Sequence, residues 1–227
     1  MHHLDRLVDL FLPPRCGGCG RLGGAYCADC IRSTRRLEEP LCRRCGRELA
    51  FARSHCSCHL RHADRLISAV AMEGPVERAM HRFKYLGWRR LAVPFAALLG
   101  ERLAGAQLGV ELAVAVPLHR SRERRRGFNQ AELLRRELSR QTGLREPPGR
   151  LIRWRHAPPQ VGLDRQHRLQ NLVGAFCWQG ESLKRVPVIV VDDVSTTGAT
   201  VDACAQALKE GGAGMVIGLT VARVASY

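Results

Sequence analysis

Cysteine spacing constrains the first quarter of this chain more than any other sequence feature. Eight of the ten cysteines precede residue 59 and form two sets of two pairs, namely Cys16, Cys19, Cys27 and Cys30, then Cys42, Cys45, Cys56 and Cys58. The intervening residues include too few apolar side chains to build a core. We therefore expect a metal to supply the stability that burial cannot.

Thiolate ligands predict zinc at both cysteine sets. Four thiolates close a tetrahedron around zinc and leave no position for water, which favours structural rather than catalytic sites. At the second set a histidine could replace a cysteine, although we favour four cysteines over His55, His59 or His62. A cross-braced pairing, with the first cysteine pair joined to the third, is also compatible with the spacing. Zinc sites built from such cysteine pairs either stabilise the fold alone or also bind nucleic acid or a protein.

The chain is strongly basic, with a formal net charge of +15. Two tetrathiolate zinc sites would each carry a net charge of 2 minus, which lowers the balance to +11 (15 minus 2 times 2). Basic faces attract phosphate backbones. The bias toward arginine, with lysine only at positions 84, 184 and 209, is equally typical of a GC-rich genome. Solvated surface, nucleic acid and phosphate-rich ligands therefore all remain open interpretations.

Apolar runs in this sequence are too short to cross a bilayer, since the longest candidate, Leu91 to Leu99, has nine residues and contains Pro94. Residues Leu4 to Leu12 predict a short amphipathic helix. Met1 to Leu12 contains Asp5 and Asp9 and has no small-residue cleavage site, which is not typical of a secretory signal. We expect a cytoplasmic protein without a membrane span.

After the cysteine module (residues 1–62), residues 63–227 predict a second domain in which strands alternate with helices. The predicted strands are Leu66 to Met72, Leu112 to Val116, Leu151 to Trp154, Val186 to Val191 and Met215 to Ala222. The predicted helices are Pro75 to Leu86, Arg90 to Leu103, Asn129 to Gln141 and Ala199 to Glu210. This order indicates an α/β fold with a mainly parallel sheet that binds ligands at the carboxyl ends of its strands. We interpret Cys177 and Cys204 as core residues.

One buried strand, Val188 to Val191, leads into the most informative motif of the chain. The residues that follow are two carboxylates and a small hydroxyl-rich turn that opens a helix: Asp192, Asp193, Ser195, Thr196, Thr197, Gly198, Ala199 and Thr200. Backbone N–H groups, hydroxyls and the positive end of the helix dipole can hold a phosphate there. The carboxylates can accept hydrogen bonds from adjacent ribose hydroxyls. Because there is no Gly-x-x-x-x-Gly-Lys-Ser/Thr loop, a phosphorylated pentose fits better than a nucleoside triphosphate.

This motif resembles that of the type I phosphoribosyltransferases, which consists of a hydrophobic strand, two acidic residues, and Thr-Gly with a threonine two residues later. The chain as a whole is similar to the ComF family of competence-associated proteins, which join a double zinc ribbon to a phosphoribosyltransferase domain. The similarity is carried by the cysteine pairs and by Pro13 to Cys16, Lys84 with Tyr85, Val116 to His119, Arg126 to Gln130, Gln160 to Leu163, Arg168 with Asn171, and Gly174 to Phe176.

The resemblance implies binding of 5-phosphoribosyl-1-pyrophosphate with magnesium, and transfer of the phosphoribosyl group with release of pyrophosphate. Asp192 and Asp193 would orient the ribose, whereas the pyrophosphate would face Pro117, Leu118 and His119 and be neutralised by Arg126 and Arg168. Residues 160–171 take the place of a flexible loop that closes over the ligand. Thr196 stands where 6-oxopurine enzymes have a general-base Asp, so we do not expect a 6-oxopurine acceptor.

A different class of function also agrees with the resemblance. The family is tied to the handling of single-stranded DNA, so the chain could be an accessory protein that keeps the phosphoribosyl site without catalysing transfer. Its partners would then be single-stranded DNA and DNA-uptake or recombination proteins.

Overall fold

A parallel four-stranded sheet forms the centre of the computed structural model, which describes residues 14–51, 56, 58, 60–154, 172 and 174–224. Its strands are β1 (Arg65–Ala71), β2 (Leu112–Ala115), β5 (Val188–Ser195) and β6 (Val216–Arg223), and a separate antiparallel pair consists of β3 (Gly149–Arg153) and β4 (Phe176–Gly180). The α-helices are α1 (Ala28–Arg32), α2 (Gly74–Tyr85), α3 (Ala92–Ala106), α4 (Arg120–Arg126), α5 (Gln130–Thr142) and α6 (Ala199–Glu210). The order across the large sheet is β1-β6-β5-β2, so the carboxyl ends of all four strands lie on one edge.

Helices cover both faces of this sheet because its strands are apolar on both sides. On one face, Ile189 and Ile217 share a core with side chains of α2, α3 and α5. On the other face, Val188 and Val190 pack with α6 and the β3–β4 pair. Gly218 allows the close approach of α6, since a Cβ at that position would lie 2.4 Å from Val201 Cγ1. The predicted α/β class with a mainly parallel sheet and a small N-terminal cysteine module is confirmed.

The chain from Arg35 to Arg44, which leads from the end of the first cysteine set into the second, lies along the outer edge of β1. The N–H groups of Ala71 and Leu66 donate to the carbonyl oxygens of Arg35 (3.0 Å) and Arg44 (2.7 Å). The Arg35 guanidinium also pairs with the carboxylates of Glu48 (2.7 Å) and Glu73 (2.8 Å). The cysteine module is therefore attached directly to the sheet.

Predicted elements agree with the structure to within a few residues, and the differences have physical causes. The helix predicted from Arg90 begins with a short 3-10 turn, Arg89–Leu91, and continues as α3. Strand β5 extends beyond Val191 to Ser195 because Asp192 and Ser195 stay in register with β6. Helix α4 was not predicted, because its sequence RSRERRR has no apolar period. The predicted helix over Leu4 to Leu12 lies outside the described residues.

The two remaining cysteines differ in burial. Cys204 on α6 is fully buried, as predicted for a core residue. Cys177 on β4 is only partly buried, which corrects its interpretation as a core residue, because Phe176 and Leu151, on the other face of the β3–β4 pair, are the residues that pack toward α6. Within the described ranges, no helix has both the length and the apolar character needed to cross a bilayer.

Candidate functional site

Sulfur geometry at the first cysteine set fits zinc. The Sγ atoms of Cys16 and Cys30 lie 3.6 Å apart, and those of Cys19 and Cys27 lie 3.7 Å apart. Corners of a tetrathiolate tetrahedron are about 3.8 Å apart, since Zn–S bonds measure about 2.3 Å. Burial raises the pKa of the Cys16 thiol, but hydrogen bonds from nearby backbone N–H groups outweigh it and lower that pKa to about 6. The backbone is thus arranged for a thiolate.

The second cysteine set is arranged in the same way. Cys42, Cys45, Cys56 and Cys58 place their Sγ atoms within 4.8 Å of one another, and the sulfurs of Cys45 and Cys56 are 3.5 Å apart. Burial raises the pKa of the Cys42 thiol, but hydrogen bonds from backbone N–H groups outweigh this effect and lower the pKa to about 7. The grouping is sequential in each set, so the cross-braced alternative is wrong. His62 is exposed and belongs to neither group, whereas His55 and His59 lie outside the described residues.

The carboxylates that end β5 have different surroundings. Asp193 is buried, and its Oδ1 atom lies 3.0 Å from Nζ of Lys84, near the end of α2. Asp192 is half-buried, and its Oδ1 atom accepts a hydrogen bond from the backbone N–H of Asp193 (2.8 Å). Burial and the neighbouring charge of Asp193 raise the pKa of Asp192 to about 7. The pair therefore combines a carboxylate that is ion-paired with Lys84, Asp193, with one whose pKa lies near neutrality, Asp192.

A three-residue turn, Thr196–Gly198, connects β5 to α6. Gly198 adopts a positive φ of 84° and immediately precedes the first residue of α6, a conformation that favours glycine. The Thr197 hydroxyl accepts from the Ala199 N–H at 3.3 Å. The Ser195 hydroxyl is buried and has no hydrogen-bond partner among the described residues. The predicted residues from Ser195 to Thr200 are therefore contiguous at the start of a helix, as an anion site requires.

Neighbouring strand β2 brings the second predicted segment to the same edge. The Val116 N–H donates to Val191 O at 2.9 Å, and Pro117, Leu118 and His119 follow directly. His119 caps α4 by accepting from the Ser121 N–H. These three residues line a groove of about 600 Å³, together with residues of α4, with Arg153 of β3 and with Trp154, which follows β3.

Arginines surround this edge of the sheet. Burial and the charges of nearby arginines lower the pKa values of Arg122 on α4 and Arg153 on β3. Arg126 lies over the Tyr85 ring at 5.2 Å and donates to Gln130 Oε1, and Gln130 donates in turn to the Lys84 carbonyl. The Nε atoms of Arg126 and Arg153 are buried without a partner in the described part of the chain. Such a cluster favours an anionic ligand.

Most of the predicted site residues therefore meet at one edge. Arg168 and the predicted loop over residues 160–171 lie outside the described residues. Residue patterns alone did not single out Arg153, because β3 is distant in sequence from the other residues of this edge. Lys84 was noticed only through the family resemblance, and its pairing with Asp193 could not be read from the chain.

Fold and site define a class of protein in which a parallel α/β domain carries a double zinc ribbon at its N-terminus. Residues 7–59 match the double zinc ribbon domain family. Competence protein F of Haemophilus influenzae is 32% identical over 195 residues, which cover 81% of this chain and 84% of that protein. DNA utilization protein YhgH of Escherichia coli K12 is 32% identical, covering 84% and 86%, and competence protein ComFC of Bacillus subtilis is 26% identical, covering 82% and 78%. The chain belongs to the ComF family of competence and DNA utilization proteins.

Proposed function

We propose that this protein binds 5-phosphoribosyl-1-pyrophosphate with magnesium at the carboxyl edge of the sheet and transfers the phosphoribosyl group to an acceptor in the cytoplasm. One observation carries the proposal. The end of β5 brings two carboxylates, a hydroxyl-rich turn and the start of α6 into one continuous segment, Asp192 to Thr200. Ribose hydroxyls need carboxylate acceptors, and a 5-phosphate needs N–H donors and a helix N-terminus.

Each part of the site has a role in this proposal. Asp192 and Asp193 orient the ribose, and the segment from Ser195 to Thr200 holds the 5-phosphate. Pro117, Leu118 and His119 face the pyrophosphate, whose charge is neutralised by Arg126 and Arg168. The C1–O bond to pyrophosphate breaks with its electron pair leaving on oxygen, a new bond forms from C1 to the acceptor, and the acceptor loses a proton. Magnesium, when bound with the ligand, supplies further charge neutralisation.

Calorimetry with 5-phosphoribosyl-1-pyrophosphate and magnesium tests this proposal. We expect wild-type protein to bind the ligand and the double variant Asp192→Asn, Asp193→Asn to lose that binding. A matched control is Asp29→Asn, which removes an exposed carboxylate from the cysteine module. Absence of binding to the wild type, or equal binding to the double variant, would reject the site.

A second function is favoured by the relatives, two of which are named competence proteins and one a DNA utilization protein. In this alternative the chain retains the phosphoribosyl site as an accessory protein that handles single-stranded DNA and contacts DNA-uptake or recombination proteins. Pyrophosphate release, measured against a panel of bases and amines, separates the two. Release with one acceptor supports transfer, whereas ligand binding without release in any reaction supports the accessory role.

A further inference from the structure

Asp202 joins the second cysteine site to the start of α6. Its Oδ1 atom accepts hydrogen bonds from three successive backbone N–H groups, those of Arg61 (2.8 Å), His62 (2.8 Å) and Ala63 (2.9 Å). These residues follow Cys58 and lead into β1. The Asp202 N–H donates to Gly198 O at 2.9 Å, so the same residue also closes the first turn of α6. The Asp202 side chain therefore holds the second zinc ribbon, defined here as residues 42–63, and the backbone of the same residue contacts the β5–α6 turn, Thr196–Gly198.

Leu60 of the second ribbon packs directly behind that turn. Leu60 is buried, and a Cβ at Gly198 would lie 2.9 Å from Leu60 Cδ2 and 2.9 Å from Leu66 Cδ2. The turn is thus in van der Waals contact with the ribbon along its inner side. Leu60 also shares an apolar cluster with Cys45 and with Val201 of α6.

Arg223 makes a third connection at the end of the neighbouring strand. This buried arginine donates from Nη1 to the Cys45 carbonyl at 2.6 Å. Arg223 is in register with Ser195, and the next residue, Val224, donates its N–H to Ser195 O at 2.9 Å. The second ribbon therefore contacts β6 next to Ser195, the turn at Gly198, and α6 at Asp202.

The first cysteine site has a different neighbourhood. Cys16 and Cys30 belong to the cluster on the opposite face of the sheet, where Leu91 and Phe95 lie. Its backbone carbonyls accept from arginines of α2, Arg78 and Arg82. Among the described residues, Cys16 and Cys30 share their apolar cluster with α2 and α3, whereas Leu60 shares its cluster with α6. The two ribbons therefore differ in their relation to the site.

We propose that Asp202 is a positioning residue that fixes the β5–α6 turn against the second ribbon in the conformation that receives phosphate. This inference rests on the proposed function, because it gives the turn a phosphate to receive. An N–H donor set binds an anion well only when its geometry is fixed before the ligand arrives. The Asp202 side chain fixes this geometry from the side of the turn that faces the second ribbon, and it does not contact the ligand.

Two substitutions at Asp202 test the proposal. Asp202→Ala removes the acceptor for three N–H groups, and Asp202→Asn keeps a carbonyl oxygen in place of the carboxylate. We expect Asp202→Ala to weaken binding of 5-phosphoribosyl-1-pyrophosphate with magnesium by roughly tenfold or more, and Asp202→Asn to weaken it less, because hydrogen bonds to a charged acceptor are the stronger ones. Asp29→Ala, a matched change of an exposed carboxylate in the first cysteine set, should bind like wild type.

Hydrogen–deuterium exchange without ligand gives a second readout that does not depend on the proposed function. We expect faster exchange in the peptide covering residues 196–200 in Asp202→Ala and a smaller increase in Asp202→Asn. A residue that only stabilises the fold would lower the melting temperature and leave exchange at this turn as in the Asp29→Ala control.

The outcomes separate the two proposals. If wild-type protein fails to bind the ligand, the phosphoribosyl function is rejected, and exchange at residues 196–200 still decides whether Asp202 orders the turn. If Asp202→Ala is folded and its exchange and affinity equal those of the wild type, the positioning role is overturned. Should Asp202→Ala not fold, Asp202→Asn and Leu60→Ala are judged by the same two measurements.

Discussion

Asp192 combines burial at the end of β5 with a like charge on the next residue. Both effects penalise its ionised form and raise its pKa to about 7, although the Asp193 N–H, Lys84 and Arg153 act in the opposite direction. Because the folded-state pKa lies above the ordinary value of 3.8, ionisation of Asp192 costs folding stability as the pH rises toward and through 7. Below this pKa, binding of a ligand that requires the ionised carboxylate includes the free-energy cost of ionising Asp192.

The raised pKa of Asp192 predicts that ligand affinity depends on pH. Ribose hydroxyls donate to the carboxylate, so affinity for 5-phosphoribosyl-1-pyrophosphate with magnesium should rise as the pH increases through about 7 and level off above it. The ligand's own phosphates also titrate in this pH range. The pH dependence of binding to Asp192→Asn therefore reports the ligand's contribution alone. Calorimetry from pH 6 to pH 8.5 should therefore show a steeper profile for wild type than for Asp192→Asn. Parallel profiles would contradict a role for Asp192 ionisation.

Sequence and structure differ in what they reveal about single residues. Asp192 and Asp193 were predicted because they are contiguous with an apolar strand and a hydroxyl-rich turn. The different surroundings of the two carboxylates were not predicted, because Lys84 and Arg153 approach them from α2 and β3, which are distant along the chain. Ion pairs of this kind depend on tertiary placement, and no local pattern encodes them.

Strands and helices of this protein were predictable where burial leaves a period or an unbroken apolar run. The parallel strands are buried on both faces and appear as continuous apolar segments, of which Val188 to Val191 is one example. Helix α4 escaped prediction because its arginines leave no apolar stripe, and its ends are set by the His119 cap and the positive φ of Gly127. Helix α4, which lines the groove, was thus harder to predict than the elements that form the core.

Close packing between α6 and β6 gives a stability prediction at this scale. In Gly218→Ala the new methyl group would lie 2.4 Å from Val201 Cγ1 and 2.7 Å from Leu66 Cδ1. We expect a loss of about 1–3 kcal/mol in the free energy of unfolding from overpacking. Gly105→Ala on α3 is the matched control, because its Cβ would meet nothing within 4 Å and alanine favours a helix by roughly 0.5–1 kcal/mol.

Urea denaturation of both glycine variants measures this difference. The midpoint should fall for Gly218→Ala and rise or stay constant for Gly105→Ala. Equal midpoints for the two variants would mean that α6 can move away from β6 at little cost. The start of α6 would then be less firmly held at the site than the structure indicates.

At the scale of the whole molecule, the charge after two zinc ions is +11, and α4 places several arginines beside the groove. The two proposed ligands use this charge differently. A phosphate backbone on an open basic face is held by many screened contacts, whereas a small ligand is held by fixed donors and a metal ion in a partly enclosed site. Salt concentration therefore distinguishes the two kinds of binding.

Single-stranded DNA binding should weaken steeply with salt, because each neutralised phosphate releases a counterion. We expect the affinity for a labelled oligonucleotide to fall by an order of magnitude or more between about 50 and 200 mM salt if several phosphates are contacted. Binding of 5-phosphoribosyl-1-pyrophosphate should change less over that range. A flat DNA profile, or no complex at micromolar protein, would reject the DNA role, and loss of both activities together would indicate one shared open surface.

The segment from Arg35 to Arg44 runs along the outer edge of β1, and its last residues belong to the second cysteine set. An uncovered edge strand offers unpaired N–H and C=O groups to any other extended chain, and two copies can then pair edge to edge. We therefore expect removal of zinc by a chelator to expose this edge, and light scattering of the chelated protein should rise above that of the zinc-bound protein at the same concentration.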